Sequence, residues 1–184
     1  SIRSGSIYYI PHHPVFKPSS LSTKFWVVFD ASAPTTSGLS LNDTLQVRPT
    51  VQPNLTSIIF RFRTKGVALV ADIVKMYRQI RVSPEDQGLQ RIFWRSSSQE
   101  PLREFELNTV IYGTAPAAFL ATRTLKQLAI DECDSYPLAA SAVVENFYID
   151  DLIPSHNDSE QAVSVYQQLT TMLGLGGFEL HKWA

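Results

Sequence analysis

The sequence predicts an α+β domain in which an antiparallel sheet packs on helices. Polar and apolar residues alternate at positions 89–95 and 103–110, a pattern typical of two paired, half-buried strands. A continuous apolar run over residues 67–71 ends at Asp72 and predicts a strand buried on both faces. A long amphipathic helix is predicted to run from the small residues after Gly113 to about residue 130.

Size and composition agree with a globular protein. The chain has 184 residues, of which 44% are hydrophobic and 18% charged, enough to bury the core of one domain. Its apolar runs fall short of the roughly 18 residues that a membrane span needs, so we predict a soluble protein. The N-terminus has neither an initiator Met nor a signal-peptide pattern, so we expect a piece of a longer polypeptide. A net charge of −1 disfavours a free-standing nucleic-acid binder.

The other elements follow from local patterns. Residues 15–30 predict a hairpin with Lys17 and Lys24 near its tip. The region 131–142 fits either a turn or a short helix. The remaining predictions are a helix over 53–63, a tight helical turn over 73–80, a strand over 143–148, a helix from a cap at Ser155 or Asn157 to residue 173, and a strand over 178–183.

Two adjacent acids, Asp150 and Asp151, lie between short apolar, β-prone segments. The flanks predict two strands and the acids the turn that joins them. Like charges held together are unfavourable without a cation between them, and carboxylates are the hard ligands that Mg²⁺ prefers. Most Asp-Asp pairs are simply polar turns, so this pair alone is a weak signal.

A third acid strengthens that signal. The strand ending at Asp72 and the hairpin at Asp150 and Asp151 can lie side by side in one antiparallel sheet, which would place three carboxylates at one edge. Such a cluster can bind two divalent ions about 3.5–4 Å apart, the arrangement used for in-line phosphoryl transfer. A single acid at a strand end is most often structural, but three in this context are hard to explain that way.

Several motifs together resemble the reverse transcriptases of BEL/Pao long-terminal-repeat retrotransposons. The resemblance covers nearly the whole chain, and jointly its motifs are highly specific. They lie at residues 9–15, 17–20, 27–33, 40–43, 71–77, 112–115, 119–125, 148–151 and 177–183. Three of them resemble the successive palm motifs of a reverse transcriptase: the Asp72 strand, the helix entry at Gly113, and the sequence Tyr148-Ile149-Asp150-Asp151.

The resemblance implies a reverse-transcriptase-like palm with a smaller fingers subdomain and no thumb. It assigns residues 1–66 and 81–112 to fingers, and 67–80 and 113–184 to palm. The implied activity is RNA-directed DNA synthesis on a template-primer with dNTPs and two Mg²⁺ ions, or Mn²⁺. It also implies a polyprotein with thumb and ribonuclease H domains, located in a cytoplasmic particle or in the nucleus.

The resemblance further implies roles for individual residues. Tyr77 would be a steric gate against the ribose 2′-OH, although its alternative role is packing beneath the sheet, and Lys182 would donate a proton to pyrophosphate. The metal ligands would be Asp72, Asp150 and Asp151. The residues that meet the nucleotide or template would be Lys17, Lys24, Tyr112 and Gly113.

One departure from the family pattern concerns the triphosphate. Trp26 stands where the motif has an Arg, and an indole N–H cannot replace a charged, bidentate guanidinium. We therefore expect weakened nucleotide binding.

Three rival interpretations of the function stay open. The first is a degenerate fragment that folds without catalysis, and the second is a domesticated module that binds nucleic acid or protein. The third is a different two-metal phosphotransferase, which Tyr77 and the hairpin disfavour.

Overall fold

The computed structural model describes residues 6–16, 18 and 25–184. The strands are β1 (His12–Phe16), β2 (Phe25–Phe29), β3 (Val67–Ala68), β4 (Ala71–Ile73), β5 (Arg91–Trp94), β6 (Arg103–Glu106), β7 (Phe147–Tyr148), β8 (Asp151–Leu152), β9 (Ser155–His156) and β10 (Leu180–His181). The α-helices are α1 (Leu41–Thr44), α2 (Leu55–Phe62), α3 (Pro84–Gln87), α4 (Ala117–Asp131), α5 (Pro137–Asn146) and α6 (Ser159–Leu175). Short 3₁₀ helices cover Met76–Gln79 and Gly88–Gln90.

The chain folds as two compact units, the first made of residues 1–48 and 80–117. In this unit β1 pairs with β2 and β5 pairs with β6, both antiparallel, which confirms the two predicted strand pairs. Its apolar core consists of Ile10, Phe29, Ala31, Leu41, Leu89 and Ile111. At the tip of the first hairpin, residues 17 and 19–24 lie outside the described residues.

The second unit consists of residues 49–79 and 118–184. It contains a four-stranded antiparallel sheet in the order β10-β4-β8-β7, together with the two-stranded pair β3-β9. Asn54 caps α2, since its side chain accepts a hydrogen bond from the Ser57 N–H. The fully buried side chains of the unit include Ile58, Ile73, Met76, Leu152, Leu169 and Met172. An α+β fold built on an antiparallel sheet is therefore confirmed.

The prediction of one continuous strand over residues 67–72 was wrong. The chain forms β3 and β4 instead, which pair with different partners. Between them the Leu69 N–H donates to the Pro154 carbonyl, and the Val70 N–H to that of Ala184. Burial alternates rather than covering both faces, since Val70 is 36% exposed and Ala71 only 1%. Only the short β4 carries Asp72 into the central sheet.

The prediction of a strand over residues 143–148 was also wrong. Residues 137–146 form α5, with Pro137 in its first turn, where a missing N–H costs nothing. The alanines that follow Pro137 favour helix and extend it as far as Asn146. The strand before the acid turn is therefore only β7. The last helix is capped by Asp158, whose side chain accepts from the Gln161 N–H, rather than by Ser155 or Asn157.

None of the described helices is both long enough and apolar enough to cross a lipid bilayer.

Candidate active site

The central sheet brings Asp72 and Asp151 together. Asp72 lies on β4 directly opposite Asp151 on β8, and opposite His181 on β10. Its neighbours Ala71 and Ile73 are each 1% exposed, so they anchor β4 in the core. Since neighbouring residues on a strand point to opposite faces, burial of these two directs the Asp72 side chain to the other face. The predicted side-by-side arrangement of the Asp72 strand and the acid hairpin is confirmed.

The turn between β7 and β8 presents Asp150. Tyr148 pairs with Asp151, so Ile149 and Asp150 are the two central residues of the turn. Ile149 has φ +58°, a left-handed conformation that is unfavourable for a β-branched residue. Two hydrogen bonds hold the turn: the Ile149 N–H donates to the Gln52 Oε1 at 3.0 Å, and the Ile73 N–H donates to the Asp150 carbonyl at 3.0 Å.

The surroundings of Asp150 shift the pKa of its carboxyl. Partial burial raises the pKa of its carboxyl, and the negative charges of Asp151 and Asp72 raise it further. A backbone hydrogen bond and the positive charge of Lys182 act in the opposite direction. The carboxylate of Asp150 thus senses both other acids, and a cation placed among the three would relieve their repulsion.

Lys182 contacts one of the three acids, Asp72, directly. Its Nζ lies 2.5 Å from the Asp72 Oδ2, and the His181 Nε2 lies 3.9 Å from the Asp72 Oδ1. This hydrogen bond and the charge of Asp72 raise the pKa of the Lys182 ammonium. The sequence predicted Lys182 as a site residue, but it did not predict this ion pair.

The fit of a metal ion rests on the chemistry of these donors. Three carboxylates are a suitable oxygen donor set for Mg²⁺ or Mn²⁺. Among the described residues, however, no three His, Cys, Asp or Glu side chains have a geometry that could hold a metal ion. In the structure, the Asp72 carboxylate is directed to Lys182 instead. The roles of Asp72, Asp150 and Asp151 as metal ligands therefore remain a prediction.

Tyr77 lies on the 3₁₀ helix that follows β4. Its side chain is partly buried, which raises the pKa of the phenol, and the negative charge of Asp150 raises it further. Tyr77 is thus close enough to the acid turn to sense its charge. Whether the ring acts as a gate against a 2′-OH remains a prediction.

The other predicted nucleotide-binding residues belong to the first unit. Gly113 has φ +96°, and its carbonyl accepts a hydrogen bond from the Asn42 Nδ2 at 2.9 Å. The Asn42 Oδ1 in turn accepts from the Ala115 N–H at 2.7 Å. The Tyr112 hydroxyl donates to the Val27 carbonyl. These contacts fix the conformation of the loop, while contact of Tyr112 and Gly113 with a nucleotide remains a prediction.

Two predicted phosphate-binding residues, Lys17 and Lys24, lie outside the described residues. Trp26 is described: it pairs with Val15 across the hairpin and is 48% exposed. Its indole is therefore partly at the surface of the hairpin.

Sequence reasoning missed three residues that shape these two regions. Gln52 holds the strained Ile149, and its sequence context carries no signal of that contact. His181 faces Asp72, which could have been inferred only by pairing the last strand with β4. Asn42 lies within a recognised motif, but its role of bracing Gly113 becomes visible only in the structure.

Comparisons with known proteins bear on the fold. No protein-family model and no curated protein matches the sequence. Among solved structures, the foamy viral protease-reverse transcriptase in complex with double-stranded DNA matches 100% of this chain, with a TM-score of 0.72 and 16% identity. The chain has a reverse-transcriptase-like fold.

Two further structures agree with this result. The protease-reverse transcriptase of prototype foamy virus matches 94% of the chain, with a TM-score of 0.69 and 17% identity. The foamy viral enzyme in complex with an RNA/DNA hybrid matches 97%, with a TM-score of 0.69 and 14% identity. The chain spans only 20%, 28% and 21% of the prototype foamy virus, DNA-bound and hybrid-bound chains, respectively. At these identities the likeness concerns the fold, not the activity.

Proposed function

We propose that this chain is the fingers and palm portion of a reverse transcriptase of the BEL/Pao type. It would add deoxynucleotides to a primer 3′-OH under the direction of an RNA template. The observation that carries the proposal is the cross-strand pairing of Asp72 with Asp151, next to the turn residue Asp150. Carboxylates from segments about 80 residues apart meet on one sheet, in a fold shared with reverse transcriptases.

The proposed site uses two divalent ions held by Asp72, Asp150 and Asp151. When bound, such ions lower the pKa of the attacking hydroxyl and stabilise the leaving pyrophosphate. The protein contributes the fixed position of the acids, because β4 and β8 are anchored by buried residues such as Ile73 and Leu152.

Other residues would handle the nucleotide. Tyr77, partly buried beside the acid turn, would exclude a ribose 2′-OH and so favour dNTPs. Lys182 would donate a proton to the leaving pyrophosphate, and Lys17 and Lys24 would contact the triphosphate. Gly113 and Tyr112 would contact the incoming nucleotide or template from a loop that Asn42 holds in place.

A second candidate function is a fold retained for binding, without catalysis. Exposed Trp26 favours it, because the triphosphate then lacks the guanidinium expected at this position. Under this alternative the chain would be a degenerate or domesticated retrotransposon fragment that binds nucleic acid or protein.

Primer extension on an RNA template with dNTPs and Mg²⁺ distinguishes the two candidates. Extension by the unaltered chain that is lost in Asp150→Asn would support the polymerase. Extension only in Trp26→Arg would indicate a sound acid site beside an impaired triphosphate contact. The absence of extension in all three proteins, each shown to be folded by circular dichroism, would favour the binding module.

A further inference from the structure

Both carboxylate oxygens of Asp72 face basic side chains from the last strand and the residue after it. Lys182 Nζ lies 2.5 Å from Oδ2, and His181 Nε2 lies 3.9 Å from Oδ1. The same carboxylate is a predicted metal ligand. Lys182 therefore binds a carboxylate oxygen of Asp72 for which a divalent ion would compete.

The backbone explains how two consecutive residues reach one carboxylate. In an extended strand, neighbouring side chains point to opposite faces. His181 is the last residue of β10, opposite Asp72 in register. Lys182 has φ +57°, a left-handed conformation that breaks the alternation at the end of the strand. The contact with Asp72 thus depends on an unusual local conformation of a non-glycine residue.

We propose that Lys182 is an internal counter-cation that binds Asp72 in the metal-free chain and must leave before a divalent ion can bind there. This inference rests on the proposed function and concerns the regulation of the same site. Its support is the direct hydrogen bond by which Lys182 engages Asp72. It also assigns an order of events, in which metal binding releases the Lys182 ammonium, which would then donate a proton to the leaving pyrophosphate.

Two features make the exchange feasible. The Lys182 side chain is 66% exposed, so it can swing into solvent without opening the core. Exposed ion pairs contribute little to stability, so a divalent ion attracted by three carboxylates would outcompete a single ammonium. The carboxylates would remain close together in both states, with their repulsion reduced first by Lys182 and then by metal.

Calorimetric titration with Mn²⁺ alone, without nucleotide or template, tests this inference. We expect Lys182→Met to bind Mn²⁺ about threefold more tightly than the unaltered chain, the order of effect of an exposed ion pair. Lys182→Arg keeps the charge and should keep the lower affinity. Lys65→Met is the matched control, because it makes the same change in net charge at a lysine whose charge acts on His156, whereas the cation that acts on Asp150 is Lys182.

The outcomes separate this inference from the proposed function. If Asp150→Asn loses Mn²⁺ binding while Lys182→Met binds no more tightly than the unaltered chain, the counter-cation is refuted and the metal site stands. If Asp150→Asn binds Mn²⁺ as the unaltered chain does, the metal site fails and the inference fails with it. Thermal melting in EDTA gives a second readout: Lys182→Met should melt lower than the unaltered chain, and Mn²⁺ should raise its melting temperature more. Equal melting and equal shifts would also overturn the inference.

Discussion

Replacement of Gly113 by alanine should destabilise the first unit more than an equivalent change elsewhere. Gly113 has φ +96°, and an added Cβ would overlap the backbone oxygen of Phe29. Gly38 offers a matched comparison in the same unit, since it has φ +81° and nothing within 4 Å of a built Cβ. The first substitution adds both backbone strain and a clash, the second backbone strain alone.

The expected magnitudes follow from that difference. An L-residue in the left-handed region costs about 1–2 kcal/mol, which is the whole expected effect of Gly38→Ala. In Gly113→Ala the clashing atom is a backbone oxygen of a strand and cannot rotate away, so about 1–3 kcal/mol of overpacking strain is added. We therefore expect a total of roughly 3 kcal/mol for Gly113→Ala.

Urea unfolding followed by circular dichroism measures both variants. With a slope of about 1–3 kcal/mol per M, the extra strain in Gly113→Ala should lower its midpoint by on the order of 1 M relative to Gly38→Ala. Equal midpoints for the two variants would refute the close approach of Gly113 to Phe29. Gly113→Ala should also weaken dNTP binding if the Gly113 loop contacts nucleotide.

Three further predictions concern the second unit. Because the folded pKa of Asp150 is raised above its ordinary value of 3.8, the folded chain binds more protons than the unfolded chain between these two values. Stability in EDTA should therefore fall as pH rises through that window. Asp150→Asn should remove this fall and be more stable than the unaltered chain at pH 7. An unchanged pH profile would contradict this. Gln52→Leu removes the acceptor for the Ile149 N–H and should cost about 1 kcal/mol and weaken Mn²⁺ binding, whereas a loss of stability without any change in Mn²⁺ binding would show that Gln52 does not position the acids. Leu169→Ala, at a side chain that is 0% exposed, should cost about 2–5 kcal/mol in urea unfolding, and a cost below 1 kcal/mol would contradict its place in the core.

The sequence predicted the parts of the fold that local pattern determines. Alternating residues specified the pair β5-β6, and the apolar run up to Asp72, together with the acid pair, predicted that the Asp72 strand and the acid hairpin lie side by side. The boundary of α5 was missed because Val143 and its β-prone neighbours follow an alanine-rich segment that starts a helix, and the helix continued through them. The intrinsic preferences of these residues could not decide whether they would form a strand or continue the helix.

Contacts between distant side chains could not be predicted from the sequence. The bond from Ile149 to Gln52 spans 97 residues and that from Lys182 to Asp72 spans 110. Each depends on the position of a whole sheet, and on left-handed backbone at Ile149 and Lys182, which neither residue type favours. No local pattern in the sequence encodes either contact.

We propose that Asp72 and the Asp150 turn together form one metal site. Cleavage of the backbone by hydroxyl radicals from bound Fe²⁺, with ascorbate and peroxide, tests it directly, because cuts occur only next to the ion. We predict cuts in both segments, near residue 72 and near residues 150–151, which Mg²⁺ suppresses and Asp150→Asn abolishes. Cuts confined to one segment, or cuts that Mg²⁺ does not suppress, would contradict a shared site.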